Sequence, residues 1–390
     1  MNAAATPEYL DDHLHLLACA AARRSVDVSD AASIPDMLAL VRRAVRGRSD
    51  HGSGGDMAAD AWLRAWGYDD ALLVERRHPT VAELDAATAD RPTVLHHITG
   101  HVAVVNTAAA HALGLAAADV LTERHDLLAR VPRPDRSTTV AAVGEVLVEL
   151  AAAGFTACTD TTHTNDVAAL ELLADASAAE PSVEITAMIG CDRLDTLGDV
   201  SFGMDVTGSR AAAAAQGQGC VRVGHVKVMP PHDDEGVVAE MVAAARDRGF
   251  PVAVHAMDID TLQATLDALE AQPPSHPEPG RPEPDRIEHC ALALPEQLDR
   301  IARLGIAVVT QPSFVTRRAQ KYQEQLSAIE QGWLWPLASL VRRGIRVTFS
   351  SDAPTVPADP QEWIDAATSR TLAPAERVDH TTARRLCQRG

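Results

Sequence analysis

Eight short apolar segments alternate with amphipathic helical segments, and this alternation limits the fold more than any other feature of the sequence. The apolar segments are residues 9–15, 155–161, 183–189, 221–229, 251–256, 286–289, 306–311 and 346–351. Most are rich in Val and Ile and apolar on both faces, as parallel strands covered by helices are. Repeated β–α units form either an open doubly wound sheet or a closed barrel, and eight units favour a (β/α)8, or TIM, barrel.

One connection is far longer than the others. Residues 17–140 separate the first strand from the second, and we interpret them as a cap inserted at the mouth of a single barrel that spans residues 1–390. The Pro-rich segment 271–284 has the composition of a linker. Candidate site residues at strand ends, described below, come from both sides of this segment. We therefore expect it to be a surface loop and not a domain boundary.

Polar side chains stand at the ends of five of the eight predicted strands. The C-terminal ends of barrel strands face one mouth, where active sites lie, so these side chains should converge. Residues i and i+2 share one face of a strand, so the first two histidines should point the same way. The converging residues are His13, His15, Lys227, His255, His289 and Asp352.

This set is suited to one or two divalent cations, with Zn2+ the first choice and other divalent metals as alternatives. Imidazole nitrogens are preferred ligands of such borderline ions. We expect His13 and His15 to bind one ion, and His255 and His289 to bind the other. Asp352 is expected to act both as a ligand and as the catalytic proton shuttle.

Lys227 is one of only two lysines among 35 basic residues, and it lies in the apolar segment "VRVGHVKVMPP". An unpaired buried ammonium is costly, so this position needs an explanation. Burial near cations lowers the pKa of a lysine, and its neutral amine can add CO2. The resulting carbamate acts as a carboxylate that can bridge two metal ions.

Several motifs together resemble the amidohydrolase superfamily of metal-dependent hydrolases, and within it amidohydrolase family 3, with its YtcJ-like and N-substituted formamide deformylase-like members. The matching segments include "PEYLDDHLHL", "RPTVLHHITGHVAVVN", "GHVKVMPPHDDEG", "DRIEHCALALPEQLDRIARLG" and "VTFSSDAPTVPADP". The resemblance covers almost the whole chain. It implies a distorted TIM barrel, one or two zinc ions and hydrolysis of amide-type C–N bonds.

The resemblance also implies roles for individual residues. By motif, the six strand-end residues match the metal positions of the family. His101, in "TGHVAVVN", matches a position that contacts substrate and is predicted to be catalytic. Asp11 is expected to support the site. Trp66 and Tyr68, in the inserted region, are candidates for lining the substrate pocket.

The chain departs from the family at both ends. Members usually carry a small β-sandwich made from both termini, whereas here the first metal strand begins within ten residues of Met1 and the sequence ends soon after the eighth strand. We expect that sandwich to be largely absent. Its loss would expose apolar surface, which favours homo-oligomers or instability.

The predicted reaction is hydrolysis of a small amide-type substrate by a metal-activated water. Three alternatives stay open: a deaminase or a cyclic amide or lactone hydrolase on the same barrel, and a truncated, inactive metal-binding homologue. A dinucleotide-binding dehydrogenase is disfavoured, because the glycines of "GQGCVRVG" do not match the G-x-G-x-x-G spacing and lead into a strand.

Charge and cysteine usage restrict the partners and the compartment. The net charge of −19 argues against nucleic acids and anionic membrane surfaces, and no apolar run is long enough to span a membrane. The six cysteines form no C-x-x-C pair, and no signal peptide is recognisable at the N-terminus. We therefore expect reduced thiols and a cytoplasmic enzyme.

Overall fold

A computed structural model describes residues 8–48, 61–117, 120–122, 124–208, 219–231, 235–273 and 283–389. The chain divides into two units. The first unit comprises residues 1–16 and 146–390, and the second comprises residues 17–145. Most of the Pro-rich segment predicted to be a surface loop, 271–284, lies outside the described residues.

The strands are numbered in chain order. They are β1 (Tyr9–Leu14), β2 (Val26–Asp27), β3 (Leu63–Tyr68), β4 (Thr93–His97), β5 (Val102–Val105), β6 (Val120–Thr122), β7 (Phe155–Asp160), β8 (Glu184–Gly190), β9 (Asp205–Thr207), β10 (Cys220–Val228), β11 (Val252–Ala256), β12 (Arg286–His289), β13 (Ala307–Thr310) and β14 (Val347–Phe349).

The α-helices are numbered in the same way. They are α1 (Leu16–Arg23), α2 (Ile34–Arg48), α3 (Val81–Thr88), α4 (Thr107–Ala112), α5 (His125–Leu128), α6 (Arg136–Ala152), α7 (Val167–Ala179), α8 (Val238–Asp247), α9 (Ile259–Ala271), α10 (Pro295–Leu304), α11 (Pro312–Arg317), α12 (Ala319–Gln325), α13 (Ala328–Gln331), α14 (Leu337–Arg342), α15 (Pro360–Ser369) and α16 (His380–Leu386). Short 3-10 helices span Cys191–Leu197, Glu235–Val237 and Pro374–Glu376.

The sheet of the first unit is a nearly closed parallel barrel. Its strand order is β1-β7-β8-β10-β11-β12-β13-β14, and β9 pairs antiparallel with β10 outside this path. No ladder joins β1 to β14 among the described residues, and Leu14 of β1 instead forms an isolated parallel bridge with Ala353, which follows β14. One seam of the barrel is therefore incomplete. The eight predicted strands are all present, and the predicted distorted TIM barrel is confirmed.

Burial explains why the barrel could be predicted from apolar runs. In β10, Val221 and the whole segment 223–228 are buried, as expected for a strand covered on both faces. The helix α10 instead buries one face, which includes Leu298 and Ile301, and ends at Gly305 in a left-handed conformation (φ +68°).

The second unit contains a five-stranded mixed sheet of order β2-β3-β4-β5-β6. β2, β3 and β4 run parallel, whereas β5 is antiparallel to both of its neighbours. The sequence predicted helical pieces and one β-like segment here, so most of this sheet was not anticipated. Its role as a cap stays a prediction.

Three further expectations can be compared with the structure: a largely absent β-sandwich, reduced thiols and the lack of a membrane span. Within the described ranges, the named strands all belong to the barrel sheet or to the sheet of the second unit. The six cysteines form no disulfide bond. In the same part of the chain, no helix combines the length and the apolar character needed to cross a bilayer.

Candidate metal centre

His13 and His15 lie at the C-terminal end of β1, beside Asp352, which follows β14. Asp352 Oδ1 lies 3.0 Å from His15 Nε2 and 3.4 Å from His13 Nε2. The backbones are also joined, because Asp352 N donates to the His13 carbonyl at 2.7 Å. The ligand atoms of the three side chains all lie within 4.8 Å of one another, which suits binding to one cation.

His289 and His255 continue this group from the ends of β12 and β11. The ring centroids of His255 and His289 are 4.5 Å apart, and those of His13 and His289 are 4.8 Å apart. Burial, followed by the charge on His13, lowers the pKa of His289 to about 3. Its imidazole is therefore neutral near pH 7, which is the form that binds a metal.

Two of these residues have left-handed backbone conformations although neither is glycine. φ is +61° at Asp352 and +71° at His289, and the adjacent Cys290 has φ +53°. Such conformations cost about 1–3 kcal/mol each and persist only where the surrounding structure fixes them. The fold therefore holds these side chains at the rim at an energetic cost, which is a common property of functional sites.

His13, His15 and His289 each have a partner at Nδ1, which leaves Nε2 for another contact. The pairs are His13 Nδ1 with Glu288 Oε2, His15 Nδ1 with Thr162 Oγ1 at 3.0 Å, and His289 Nδ1 with Gln311 Oε1 at 2.8 Å. A metal-binding histidine almost always donates its second ring N–H in this way, which fixes the tautomer and the ring orientation. The three rings are thus arranged as ligands that bind through Nε2.

Glu288 connects His13 to a buried ionic network. Its side chain is fully buried, and Arg286 Nε donates to Glu288 Oε1 at 2.6 Å. Arg286 Nη1 also donates to Asp12 Oδ1 at 3.0 Å. Burial acts to raise the pKa of Glu288, but Arg286 and His13 hold it well below its ordinary value. Glu288 is therefore a carboxylate that orients His13.

Lys227 brings an amine into the same group of charges. It is 1% exposed, and its Nζ has no hydrogen-bond partner. Burial lowers its pKa to about 8, although the negative charges of Glu288 and Asp352 act in the opposite direction. An unpartnered buried amine is costly and is explained if the site holds a further group. This observation fits a carbamate formed on Lys227.

Two buried aspartates support the rim without joining the donor set. Asp11 accepts hydrogen bonds from Ser351 N at 3.0 Å and Ser351 Oγ at 2.5 Å, which ties β1 to the end of β14. Asp160 accepts from Thr162 N at 3.0 Å and thereby positions the partner of His15. This arrangement agrees with the supporting role expected for Asp11.

The remaining predicted site residues all lie in the second unit. Trp66 is on β3, with its ring centroid 5.5 Å from that of His96. Tyr68 is 1% exposed, and its hydroxyl lies 3.0 Å from His78 Nδ1. His101 lies in the turn between β4 and β5. Roles for these three residues in substrate binding stay predictions.

The sequence reasoning missed the residues that orient the imidazoles. These are Glu288, Thr162 and Gln311. Glu288 alone had a usable signal, because it is an acidic residue inside a short buried strand. Thr162 and Gln311 directly follow β7 and β13, where polar residues are common and not distinctive.

Two comparisons identify what the chain is similar to. The model of the amidohydrolase family matches residues 2–389. Amidohydrolase YtcJ of Bacillus subtilis (strain 168) is 24% identical over 93% of this chain and 73% of its own length. N-substituted formamide deformylase of Arthrobacter pascens is 24% identical over 97% of this chain and 76% of its own length.

Solved structures share the fold. An uncharacterised metal-dependent hydrolase from Pyrococcus furiosus superposes with a TM-score of 0.69 at 23% identity, covering 98% of this chain and 80% of that one. Its counterpart from Pyrococcus horikoshii gives 0.71 at 22% identity, covering 97% and 78%. The family match and the rim geometry together support a metal-dependent hydrolase. Since the family model spans almost every residue, the chain belongs to the amidohydrolase family.

Proposed function

We propose that this protein hydrolyses a non-peptide, amide-type C–N bond of a small molecule at a zinc centre in the barrel. The observation that carries the proposal is the set of three imidazoles whose Nδ1 atoms have partners. Those of His13 and His15 lie beside Asp352, and the His289 ring lies 4.8 Å from the His13 ring. Imidazole nitrogen combined with carboxylate oxygen is a donor set suited to Zn2+.

The residues divide into two groups of ligands. His13, His15 and Asp352 would hold one ion, and their ligand atoms are already within 4.8 Å of one another. His255 and His289 would hold a second ion. Addition of CO2 to the neutral Lys227 amine forms an N–C bond and releases one proton, which gives a carbamate that can serve both ions.

Asp352 is the proton carrier of the proposed reaction. A divalent cation supplies Lewis acidity when bound, since it acidifies water and polarises a carbonyl. Burial acts to raise the pKa of Asp352, but hydrogen bonds from His13 and His15 hold it well below its ordinary value, so Asp352 is an ionised carboxylate, the form that a proton acceptor must have. Asp352 takes the proton of the attacking water and delivers it to the nitrogen as the C–N bond breaks.

The inserted region supplies the proposed substrate contacts. His101 is proposed to donate to the substrate carbonyl oxygen as negative charge develops on it. Trp66 and Tyr68 are proposed to contribute to the pocket. The choice of an amide-type C–N bond is supported by the name of one relative, N-substituted formamide deformylase.

A metal-exchange experiment tests this function. The chelator-stripped protein is reloaded with Zn2+, Mn2+ or Co2+ and assayed on N-formyl amines, N-acyl amines, cyclic imides, lactones and amino-heterocycles. Amide hydrolysis should be lost on stripping and restored by reloading. Turnover confined to lactones, cyclic imides or amino-heterocycles would move the enzyme to another reaction class. Bound metal without turnover across the panel would favour an inactive homologue.

The cellular compartment and the binding partners of the enzyme are also proposed. Six cysteines without a disulfide bond support a reducing compartment, and we place the enzyme in the cytoplasm. The net charge of −19 supports a small-molecule substrate and no nucleic-acid or membrane partner. A homo-oligomer stays a prediction.

A further inference from the structure

A second group of metal-type donors lies within the second unit, at the C-terminal ends of the parallel strands β3 and β4. A register shift just before Tyr68 places this residue opposite His97. Gly67, with φ +107°, has the left-handed backbone that this irregularity uses. Asp69 and Asp70 follow β3 directly, so two carboxylates and one imidazole meet where the two strands end. The carboxyl ends of parallel strands are a general location for ligand sites.

His97 is the observation that separates this group from an ordinary acidic turn. Its side chain is 5% exposed, and its buried Nε2 atom makes no hydrogen bond. Nε2 nevertheless lies 3.1 Å from Asp70 Oδ1 and 3.6 Å from Asp69 Oδ1. Ligand atoms around a tetrahedral Zn2+, with bonds of about 2.0–2.1 Å, are about 3.3 Å apart. The two distances from Nε2 are therefore close to the spacing of ligands that share one cation, and the ligand atoms of all three residues lie within 4.8 Å of one another.

Two contacts from Thr99 hold the other side of the His97 ring. Thr99 N donates to His97 Nδ1 at 3.2 Å, and Thr99 Oγ1 lies 2.8 Å from the same atom. These contacts fix the ring with its Nε2 atom toward the two carboxylates. The ring of Tyr68 packs edge-on against the imidazole at a centroid distance of 5.1 Å, which fixes its orientation.

The two carboxylates differ in their access to solvent. The side chain of Asp69 is 10% exposed, whereas that of Asp70 is 30% exposed. Asp69 Oδ1 also accepts from Ala71 N at 3.0 Å, which fixes the turn after β3. The site is thus anchored on its buried side, and its Asp70 carboxylate is partly accessible to solvent.

We propose that Asp69, Asp70 and His97 bind a Zn2+-type divalent cation, in a site formed entirely by the second unit. One imidazole nitrogen and two carboxylate oxygens suit Zn2+ better than Ca2+ or Mg2+, which prefer oxygen ligands throughout. The ion joins the end of β3 to the end of β4. This site does not depend on the proposed hydrolytic centre, because it uses none of the same residues.

Zinc stoichiometry tests the site in the full-length protein. Chelator-stripped wild type, His97→Gln and Asp70→Asn are titrated with Zn2+ alone, and bound zinc is measured by elemental analysis after desalting. Each variant should bind one equivalent less than wild type. His111→Gln, which changes an exposed histidine of the same unit, should bind as much as wild type. Equal stoichiometry in wild type and both variants would overturn the proposal and would support a simple contact between the imidazole and the carboxylates.

A measurement on wild type decides the question if the variants do not fold. Crystals soaked in Zn2+ are examined by anomalous diffraction at the zinc edge. A peak bonded to His97 Nε2 and to both carboxylates supports the site, and its absence at saturating zinc refutes it. A zinc peak at the barrel centre would lie at different residues from a peak at His97. The hydrolytic proposal and this proposal can therefore fail independently of each other.

Discussion

Glu288 and His13, 275 positions apart in the sequence, are in direct contact through Oε2 and Nδ1 at the rim of the barrel. Both side chains are buried, with exposures of 0% and 1%. Water therefore cannot replace Glu288 as the partner of His13. The orientation of the first ligand of β1 depends on a residue from β12, so the two strands act together in forming the site.

Replacing Glu288 by Gln should weaken metal binding. The substitution keeps the shape but removes the charge that orients His13, and loss of such a partner typically lowers affinity by about 10–100-fold. Competition with a chromophoric chelator measures the change. Arg286 also loses one of its two carboxylate partners and keeps Asp12. Urea denaturation of the apo forms should therefore show a separate destabilisation, smaller than the roughly 3–5 kcal/mol expected when a buried charge loses its only partner. Glu296→Gln, on the exposed face of α10, is the matched control. Unchanged affinity in Glu288→Gln would remove the orienting role.

Gln311, the partner of His289, should contribute more to metal affinity than Thr162, the partner of His15. His289 is 3% exposed, so Gln311→Leu leaves its Nδ1 without any replacement and should lower metal affinity by about 10-fold or more. The His15 side chain is 24% exposed, so water can replace the hydroxyl lost in Thr162→Val, and the effect should be only about 2–3-fold. The same chelator competition measures both. The reverse order would show that burial does not determine the effect.

Lys227 should make the stability of the apo protein depend on pH. Its pKa falls from 10.5 to about 8 in the folded state, so between these values the unfolded chain binds a proton that the native protein does not. Stability should therefore rise as pH increases from about 8 to 10.5. The full penalty, roughly 3 kcal/mol, is present below pH 8 and disappears above 10.5.

Lys227→Met isolates this contribution. The variant should be more stable than the apo wild type near pH 7, and the difference should shrink as pH rises. Urea denaturation at several pH values, in CO2-free buffer and excess chelator, measures it. Parallel pH profiles of stability for wild type and variant would contradict the burial of an unpaired amine.

In buffer containing CO2, intact mass should show an added mass of about 44 Da in wild type alone if the carbamate forms, as expected from its composition.

The sequence predicted the barrel and the convergence of its ligands for a clear physical reason. Buried parallel strands such as β10 must be apolar on both faces, and their C-terminal ends must meet at one rim. A polar side chain at such an end is therefore visible in the sequence, as Lys227, His255 and Asp352 were. The limits of the strands differed by at most two residues, which did not affect this conclusion.

Other parts of the site depend on backbone conformations that leave no pattern in the sequence. Regular strand alternation places Glu288 and His289 on opposite faces, yet both contact His13. The left-handed conformation of His289, at φ +71°, interrupts that alternation. The group around His97 was missed for a similar reason, because only the register shift before Tyr68 brings Asp69 and Asp70 next to it. Local irregularities of this kind are decided by tertiary packing.

Asp352→Asn should separate metal binding from proton transfer. Asn keeps an oxygen that can bind a cation, but its amide does not accept the proton of the attacking water, so kcat should fall by about 10²–10⁴-fold. His13 and His15 remain, so most of the metal should be retained, as elemental analysis can show. Asp260→Asn, on the exposed start of α9, controls for the loss of one negative charge and should leave kcat unchanged. Asp352 N also donates to the His13 carbonyl. Since the substitution retains this backbone contact, the rim should keep its geometry.

Two outcomes would contradict this role of Asp352. Near-normal turnover in Asp352→Asn with full metal content would assign proton transfer to another residue. Loss of turnover together with loss of metal would show that Asp352 acts mainly as a ligand.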